Sequence, residues 1–214
     1  MVYVLHAKPI HGYYPKVDWG PGDMPAATMI EPPRDGMPKI GPEKSGVPVD
    51  GSALPKRVVW DNNPEHPPAD FDSMPRMNLS ERAKAVIEAV EPATHQFFPV
   101  DYYDRNGDLI ERRYWLYICN RRDSISQEKS NWVLNPLGYY STARDAVDFG
   151  WEIPSHVDVD APAEFVFEQA KIGDAQLWRE ARADGLPLMS EKLFQAIIDA
   201  GLTGFAPSEK KEVV

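Results

Sequence analysis

Cys119 and His95 come nearest to a nucleophile with its base, since both fall on segments that read as paired β-strands. A thiol needs a lowered pKa to act as a nucleophile, and neither a helix N-terminus nor a Cys-x-x-Cys spacing surrounds Cys119. A buried structural cysteine explains it better. The run Asp104-Arg105-Asn106-Gly107-Asp108 opens like a calcium loop. Its glycine comes one place early, and Trp115 stands where a bidentate glutamate would close the shell, so a hairpin turn accounts for the same residues. His6 and His11 have no cysteine or carboxylate at ligand spacing. Asp158 and Asp160 would point the same way from an extended segment, as a catalytic carboxylate pair does and as many surface acids do. The chain contains no G-x-S-x-G, no phosphate-binding glycine loop, no G-x-G-x-x-G and no H-E-x-x-H. The expectation is a protein that is not an enzyme, with no catalytic, cofactor-binding or metal-ligating residue.

Charge points to a protein partner instead. The formal net charge is -10 and the pI about 5.0. That balance argues against nucleic acid, whose phosphates require Lys and Arg, and suits a basic partner or plain solubility. Between Asp145 and Ala170 stand seven acids and no Lys or Arg. They form either an ordinary solvated surface or a docking face. An exposed tyrosine ringed by acids makes a reasonable interface anchor, so the candidate partner-binding residues are Tyr139, Tyr140, Asp145, Asp148, Asp158 and Asp160. Reversing the four aspartates to Lys is expected to slow association with little loss of fold.

The elements that position these residues centre on a hairpin from Thr94 to Asn120. His95–Tyr103 and Arg113–Cys119 are aromatic and β-branched, and Asn106-Gly107 suits a tight turn. Both faces of the second strand are apolar, so it should be central in a sheet and covered on both sides. Ser80 caps a helix over Glu81–Val90 whose stripe is Ala83, Val86, Ile87 and Val90. Met189-Ser190-Glu191-Lys192 echoes Leu79-Ser80-Glu81-Arg82, which suggests two similar halves, each laying one helix on a sheet. Thr142–Phe149 reads as a helix, Trp132–Leu134 as an edge strand and Glu164–Gln169 as a strand. Residues 1–76 hold 14 of the 21 prolines. They read as a Pro/Gly-rich segment wrapping the core, with a first strand at 2–5; aromatics such as Tyr13, Tyr14, Trp19 and Trp60 give it something to bury. The predicted organisation is that segment, an α+β domain over 77–206 with mostly antiparallel sheet and a few short helices, and a frayed tail at 207–214. No apolar run approaches the roughly 20 residues of a membrane span. With the lone Cys119 and a start lacking a signal peptide's basic and apolar regions, this makes a cytoplasmic protein the expectation.

Several of these stretches together resemble a known family. They are the opening MVYVL, Asp70-Phe71 ahead of Leu79-Ser80-Glu81-Arg82, and the strand His95-Gln96-Phe97-Phe98-Pro99-Val100. Tyr114 to Asn120 and the closing run from Ser190-Glu191-Lys192-Leu193 to Ala200-Gly201-Leu202-Thr203-Gly204-Phe205 complete the set. The chain is similar in them to the immunity proteins of bacterial polymorphic toxin systems, in the group called immunity protein family eleven. The likeness runs from about Asp70 to Phe205 plus the first strand and leaves Pro9 to Pro55 outside. It implies a protein encoded beside a toxin, which it binds and blocks without catalysis. Many toxins of these systems are nucleases with basic faces that an acidic patch would attract. The alternatives are an accessory or scaffold protein of a secretion system and, ranked below it, an enzyme of unrecognised mechanism.

Overall fold

The computed structural model describes residues 1–8, 16–18, 25–61, 67–72, 76–211 and 213–214. Tyr13, Tyr14, Trp19 and His11 lie outside the described residues. In chain order the strands are β1 (Val2–Ala7), β2 (Lys16–Asp18), β3 (Thr28–Met29), β4 (Val49–Asp50), β5 (Arg57–Asp61), β6 (Phe71–Asp72), β7 (Asn78–Ser80), β8 (Gln96–Tyr103) and β9 (Leu109–Tyr117). They continue with β10 (Arg121–Arg122), β11 (Val133–Leu134), β12 (Tyr140–Ser141), β13 (Leu177–Glu180), β14 (Pro187–Ser190) and β15 (Phe205–Lys211). The helices are α1 (Glu81–Val90), α2 (Ala143–Phe149), α3 (Gln169–Ile172) and α4 (Glu191–Asp199). A six-stranded sheet has the order β2-β5-β8-β9-β7-β6, and a five-stranded sheet the order β10-β13-β14-β1-β15. Most pairings are antiparallel; β5 with β8 and β10 with β13 are parallel. The protein is α+β, as its sequence indicates.

One layer of helix joins the two sheets. The strand-to-helix units β7-α1 and β14-α4 are alike: the hydroxyl of Ser80 accepts from Ala83 N–H and that of Ser190 from Leu193 N–H, each 3.2 Å away. Helices α1 and α4 pack on each other, and Ala83, Ile87, Leu193 and Ile197 share a core with Leu79 and Leu116 of one sheet and Tyr3, Leu5 and Met189 of the other. Strand periodicity sends the intervening side chains outward. Val2, Val4, Trp178 and Leu188 meet a second core beyond the five-stranded sheet, while Val58, Val100, Tyr102, Trp115 and Tyr117 meet a third beyond the six-stranded sheet.

Strand β9 therefore lies inside its sheet between β8 and β7, covered on both faces. Arg113, on the same face as Trp115, is fully buried. Its guanidinium donates to Asn78 Oδ1 at 2.7 Å, to the Ala69 carbonyl and to Glu111, so the buried charge is bonded on several sides. In the hairpin turn one oxygen of Asp104 accepts from the N–H groups of Asn106 and Asp108, at 2.8 and 2.9 Å. That carboxylate serves the turn.

The proline-rich segment does more than wrap the core, since it contributes β2, β5 and β6 to the larger sheet. Ala27, Val49 and Leu54 cover that sheet's outer face. Backbone that lacks a ladder must find partners elsewhere, and three side chains supply them. Gln96 bonds both the N–H and the carbonyl of Val49, at 2.8 and 3.0 Å, and Trp115 donates to the Pro55 carbonyl at 2.9 Å. Arg121 donates to Asp35 and to the carbonyls of Ser45 and Pro38, at 2.7, 3.2 and 2.9 Å. Arg121→Ala should cost about 2–3 kcal/mol and sharply raise hydrogen exchange and proteolysis between residues 35 and 46. Unchanged protection there would show that the segment is held by something else.

Two expectations differ from the structure. Glu164–Gln169 is not a strand: only Phe167 makes isolated bridges, to Ile125 and Val213, and Gln169 begins α3. The end of the chain does not begin to fray at residue 207, because β15 runs to Lys211 and pairs with β1.

Candidate partner-binding surface

The outer face of the five-stranded sheet is covered by residues 123–175, and part of that cover rises into a small lobe with its own core. The lobe starts at β11, whose partner β12 is reached through the turn Asn135–Gly138. Asn135 Oδ1 accepts from Leu137 and Tyr139 N–H at 2.9 and 3.1 Å, which fixes the turn and leaves Leu137 77% exposed. Thr142 then opens α2 with a reciprocal cap: its hydroxyl accepts from Asp145 N–H at 3.1 Å, and Asp145 accepts in return from Thr142 N–H at 3.1 Å. The short helix sets Ala143 and Ala146 on Val133 and Val157. Two alanines cover little surface, and Val147 and Phe149 remain 48% and 69% exposed. The Phe149 ring stacks on Trp151 at 5.1 Å, which holds it in place while most of it faces solvent.

Acids surround these apolar groups. Asp148, Glu152 and Asp160 are exposed, and Asp160 stands 3.9 Å from Arg144 at the start of α2. Asp158 accepts from Asp160 N–H at 2.9 Å and donates its own N–H to Asn131 Oδ1 at 2.8 Å. The pair at 158 and 160 is thus a turn in which one aspartate bonds the backbone of the other. Asp148 and Asp160 can be reversed at little structural cost, whereas Asp145 and Asp158 hold the cap and the turn, so changing them alters stability along with charge.

The tyrosines are placed differently from the acids. Tyr140 is buried, packs edge-on against Phe165 at 5.6 Å, and burial pushes its hydroxyl pKa upward. Tyr139 is half-buried and donates to the Lys39 carbonyl at 2.8 Å, tying the proline-rich segment to the lobe. The exposed aromatic beside the acids is Phe149. Helical periodicity sets Phe149 about 120° from Ala143, off the inward stripe, and so agrees with its exposure. It misplaces Val147, which it puts beside Ala143 and which the seating of α2 on Val133 and Val157 leaves outside.

Cys119 and His95 do meet, without forming a nucleophilic pair. Cys119 N–H donates to His95 Nδ1 at 3.2 Å, so Nε2 carries the proton and donates to Glu91 at 2.9 Å. The thiol lies near Gln96 and the Tyr117 carbonyl, and burial pushes its pKa up to about 11. A thiol held protonated in this way does not attack carbonyls at neutral pH. Among the described residues there is no group of three or more His, Cys, Asp or Glu that could hold a metal ion. No helix among them is long and apolar enough to cross a membrane.

Glu180 is a strongly perturbed acid. It is fully buried beside Asp123, and burial raises its pKa to about 7, although Ser124 donates both its N–H and its hydroxyl to it at 2.9 and 2.6 Å. A carboxyl whose folded pKa is raised binds its proton more tightly in the native state. The stability it allows is complete below the unfolded value near 4.5, falls as pH rises, and is gone above about 7. Glu180→Gln should remove about 2–3 kcal/mol of that decline, measured as urea unfolding free energy at pH 4.5 and 8. Parallel pH profiles for variant and parent would rule this out.

A relative, the methionine–tRNA ligase of Vesicomyosocius okutanii subsp. Calyptogena okutanii, is 30% identical over 104 residues, a likeness covering 44% of this chain and 18% of the ligase. The chain thus spans less than a fifth of that protein, and the likeness establishes no activity here. A far longer match comes from the profile described as Immunity protein family (Imm11), which covers residues 18–212. It includes most of the stretch from Pro9 to Pro55, which lies outside the sequence resemblance. The chain belongs to the Imm11 immunity protein family.

Proposed function

We propose that this protein neutralises a cognate toxin by forming a stoichiometric, non-catalytic complex with it, and that the docking surface is the lobe from β11 to Asp160. Family membership supports the immunity role. The observation that carries the site is Phe149, a large aromatic ring 69% exposed on a helix whose neighbours Asp148 and Glu152 are acidic. An apolar anchor with a charged rim is the usual anatomy of a protein interface, where the anchor supplies affinity and the rim speeds encounter. The acidic rim selects a basic partner, and a nuclease domain with a cationic nucleic-acid-binding face has the required charge.

The first test is co-expression with the product of the neighbouring toxin reading frame. The proposal predicts co-purification at a fixed ratio together with rescue of growth. Rescue without a complex, or a complex without rescue, would refute stoichiometric neutralisation and turn attention to an accessory role in secretion.

A further inference from the structure

The segment held by Arg121 and the β13–β14 connection border an open cavity of about 660 Å³. Its apolar lining includes Met77, Leu116 and Tyr117. Its charged lining carries four cations, Lys39, Lys44, Arg76 and Arg179, against two acids, Glu43 and Asp184. This inverts the balance of a chain whose net charge is -10. Pairing absorbs part of the excess, since Lys44 bonds Asp184 and Arg76 stands 3.2 Å from Glu43. Among the described residues Lys39 and Arg179 have no carboxylate partner at ion-pair distance.

Arg179 makes the cavity more than a basic surface. It is only 7% exposed. Its Nη1 donates to the Gly185 carbonyl at 2.9 Å, while its buried Nε meets no acceptor among the described residues. Burial lowers its pKa to about 10, so the guanidinium stays charged at neutral pH. Asp184 and Glu43 act on Arg179 only from beyond contact distance. A buried cation with no carboxylate in contact and short of an acceptor is costly, and an arriving anion would offset that cost. The apolar lining disfavours a heavily hydrated ion such as phosphate. It suits a carboxylate attached to an apolar body.

We infer that this cavity is a binding site for an organic carboxylate, whose oxygens bond Arg179 and Lys39 while its apolar part lies on Met77, Leu116 and Tyr117. The carboxylate comes either from a free small acid or from an acidic side chain of a bound protein. Planar guanidinium and carboxylate groups match, which makes Arg179 the specificity-determining contact.

Thermal unfolding with sodium 3-phenylpropionate, against sodium chloride at equal ionic strength, tests this without the toxin. It therefore stands or falls apart from the immunity reading. The expected result is a rise of about 2–4 °C in the parent protein, a smaller rise with inorganic phosphate, and none in Arg179→Met. A purely structural arginine would leave its Met variant less stable; here the variant should unfold at or above the parent's temperature, because an unpaired buried charge is gone. If Arg179→Met does not fold, exposed Lys39→Met gives the same test and should at least halve the rise. No rise in the parent, or equal rises in parent and variants, would overturn the inference. With the site confirmed, displacement of the probe by the toxin identifies an acidic side chain of the partner as the source, and simultaneous binding identifies a free acid.

Discussion

Replacing Gly204 with alanine is expected to cost about 3–5 kcal/mol, a large share of the 5–15 kcal/mol typical of a folded domain. Gly204 has a φ of +73°, and a Cβ there would lie 2.2 Å from the Phe71 carbonyl oxygen and 2.4 Å from Ala69 Cβ. Both the backbone conformation and the close approach exclude a side chain. The approach belongs to a clasp between the halves. Asp70, beside β6 in one half, accepts from the Ser80 hydroxyl at 2.6 Å and from Thr203 N–H and hydroxyl, at 2.9 and 3.0 Å, in the other. Burial pushes the Asp70 pKa up, but these bonds outweigh it and the net shift is downward. Its stabilisation is thus present above the unfolded value of 3.8 and is lost as pH falls. Gly201→Ala is the control, because Gly201 also has positive φ, +60°, but nothing stands within 4 Å of its Cβ position. It should cost only about 1 kcal/mol. Equal denaturation midpoints for the two variants would show that the close approach to β6 carries no weight.

The second large effect belongs to Glu91, at the far end of α1 from the Ser80 cap. Its carboxylate accepts from His95 Nε2 at 2.9 Å, Asn120 Nδ2 at 2.7 Å, Gln176 N–H at 3.1 Å and Leu177 N–H at 2.9 Å. One acid thus ties α1 and the start of β8 to the first residue of β13 in the other sheet. Burial raises its pKa and the hydrogen bonds, led by that from His95, lower it further than burial raises it. The stability it contributes is held above pH 4.5 and disappears as pH drops through the lowered value. Glu91→Ala leaves four donors without this acceptor and should cost about 3–4 kcal/mol. Hydrogen exchange at Leu177 and Cys119 should quicken well beyond the global change. Glu91→Gln keeps one acceptor oxygen but turns an amide N–H₂ toward backbone donors, so it should recover less than half the loss. A loss below about 1 kcal/mol in Glu91→Ala would refute the tie.

These two positions show what the sequence made legible. The stretches that carry the family resemblance, Asp70-Phe71, Ser80, His95-Gln96 and Thr203-Gly204-Phe205, form the clasp, the caps and the anchors of the proline-rich segment. They record how the chain is held together. Strand β9, both Ser-capped helices and the mixed α+β class could be read because periodicity and capping are local. The order in the proline-rich segment was hidden because its backbone partners, Arg121 and Gln96, lie 47 or more residues away along the chain. The strand expected at 164–169 has the right alternation, but only Phe167 found a ladder partner, so pattern without a neighbouring edge did not make a strand. The acids of the lobe were visible by composition. The exposure of Val147 beside its apolar anchor was not, because that depends on where α2 is seated.

The most direct test of the account is the dissociation constant of the purified toxin complex, measured by calorimetry for the parent, for Phe149→Ala and for the double reversal Asp148→Lys with Asp160→Lys. Phe149→Ala is expected to weaken binding about 30-fold or more, mainly through faster dissociation. The double reversal should slow association about 10-fold, an effect that shrinks at high salt. Both proteins should keep the parent's unfolding temperature within a few degrees, since none of the three side chains supports the fold. Parent-like affinity in both variants would contradict the lobe as the docking surface and move the toxin to another face of the molecule.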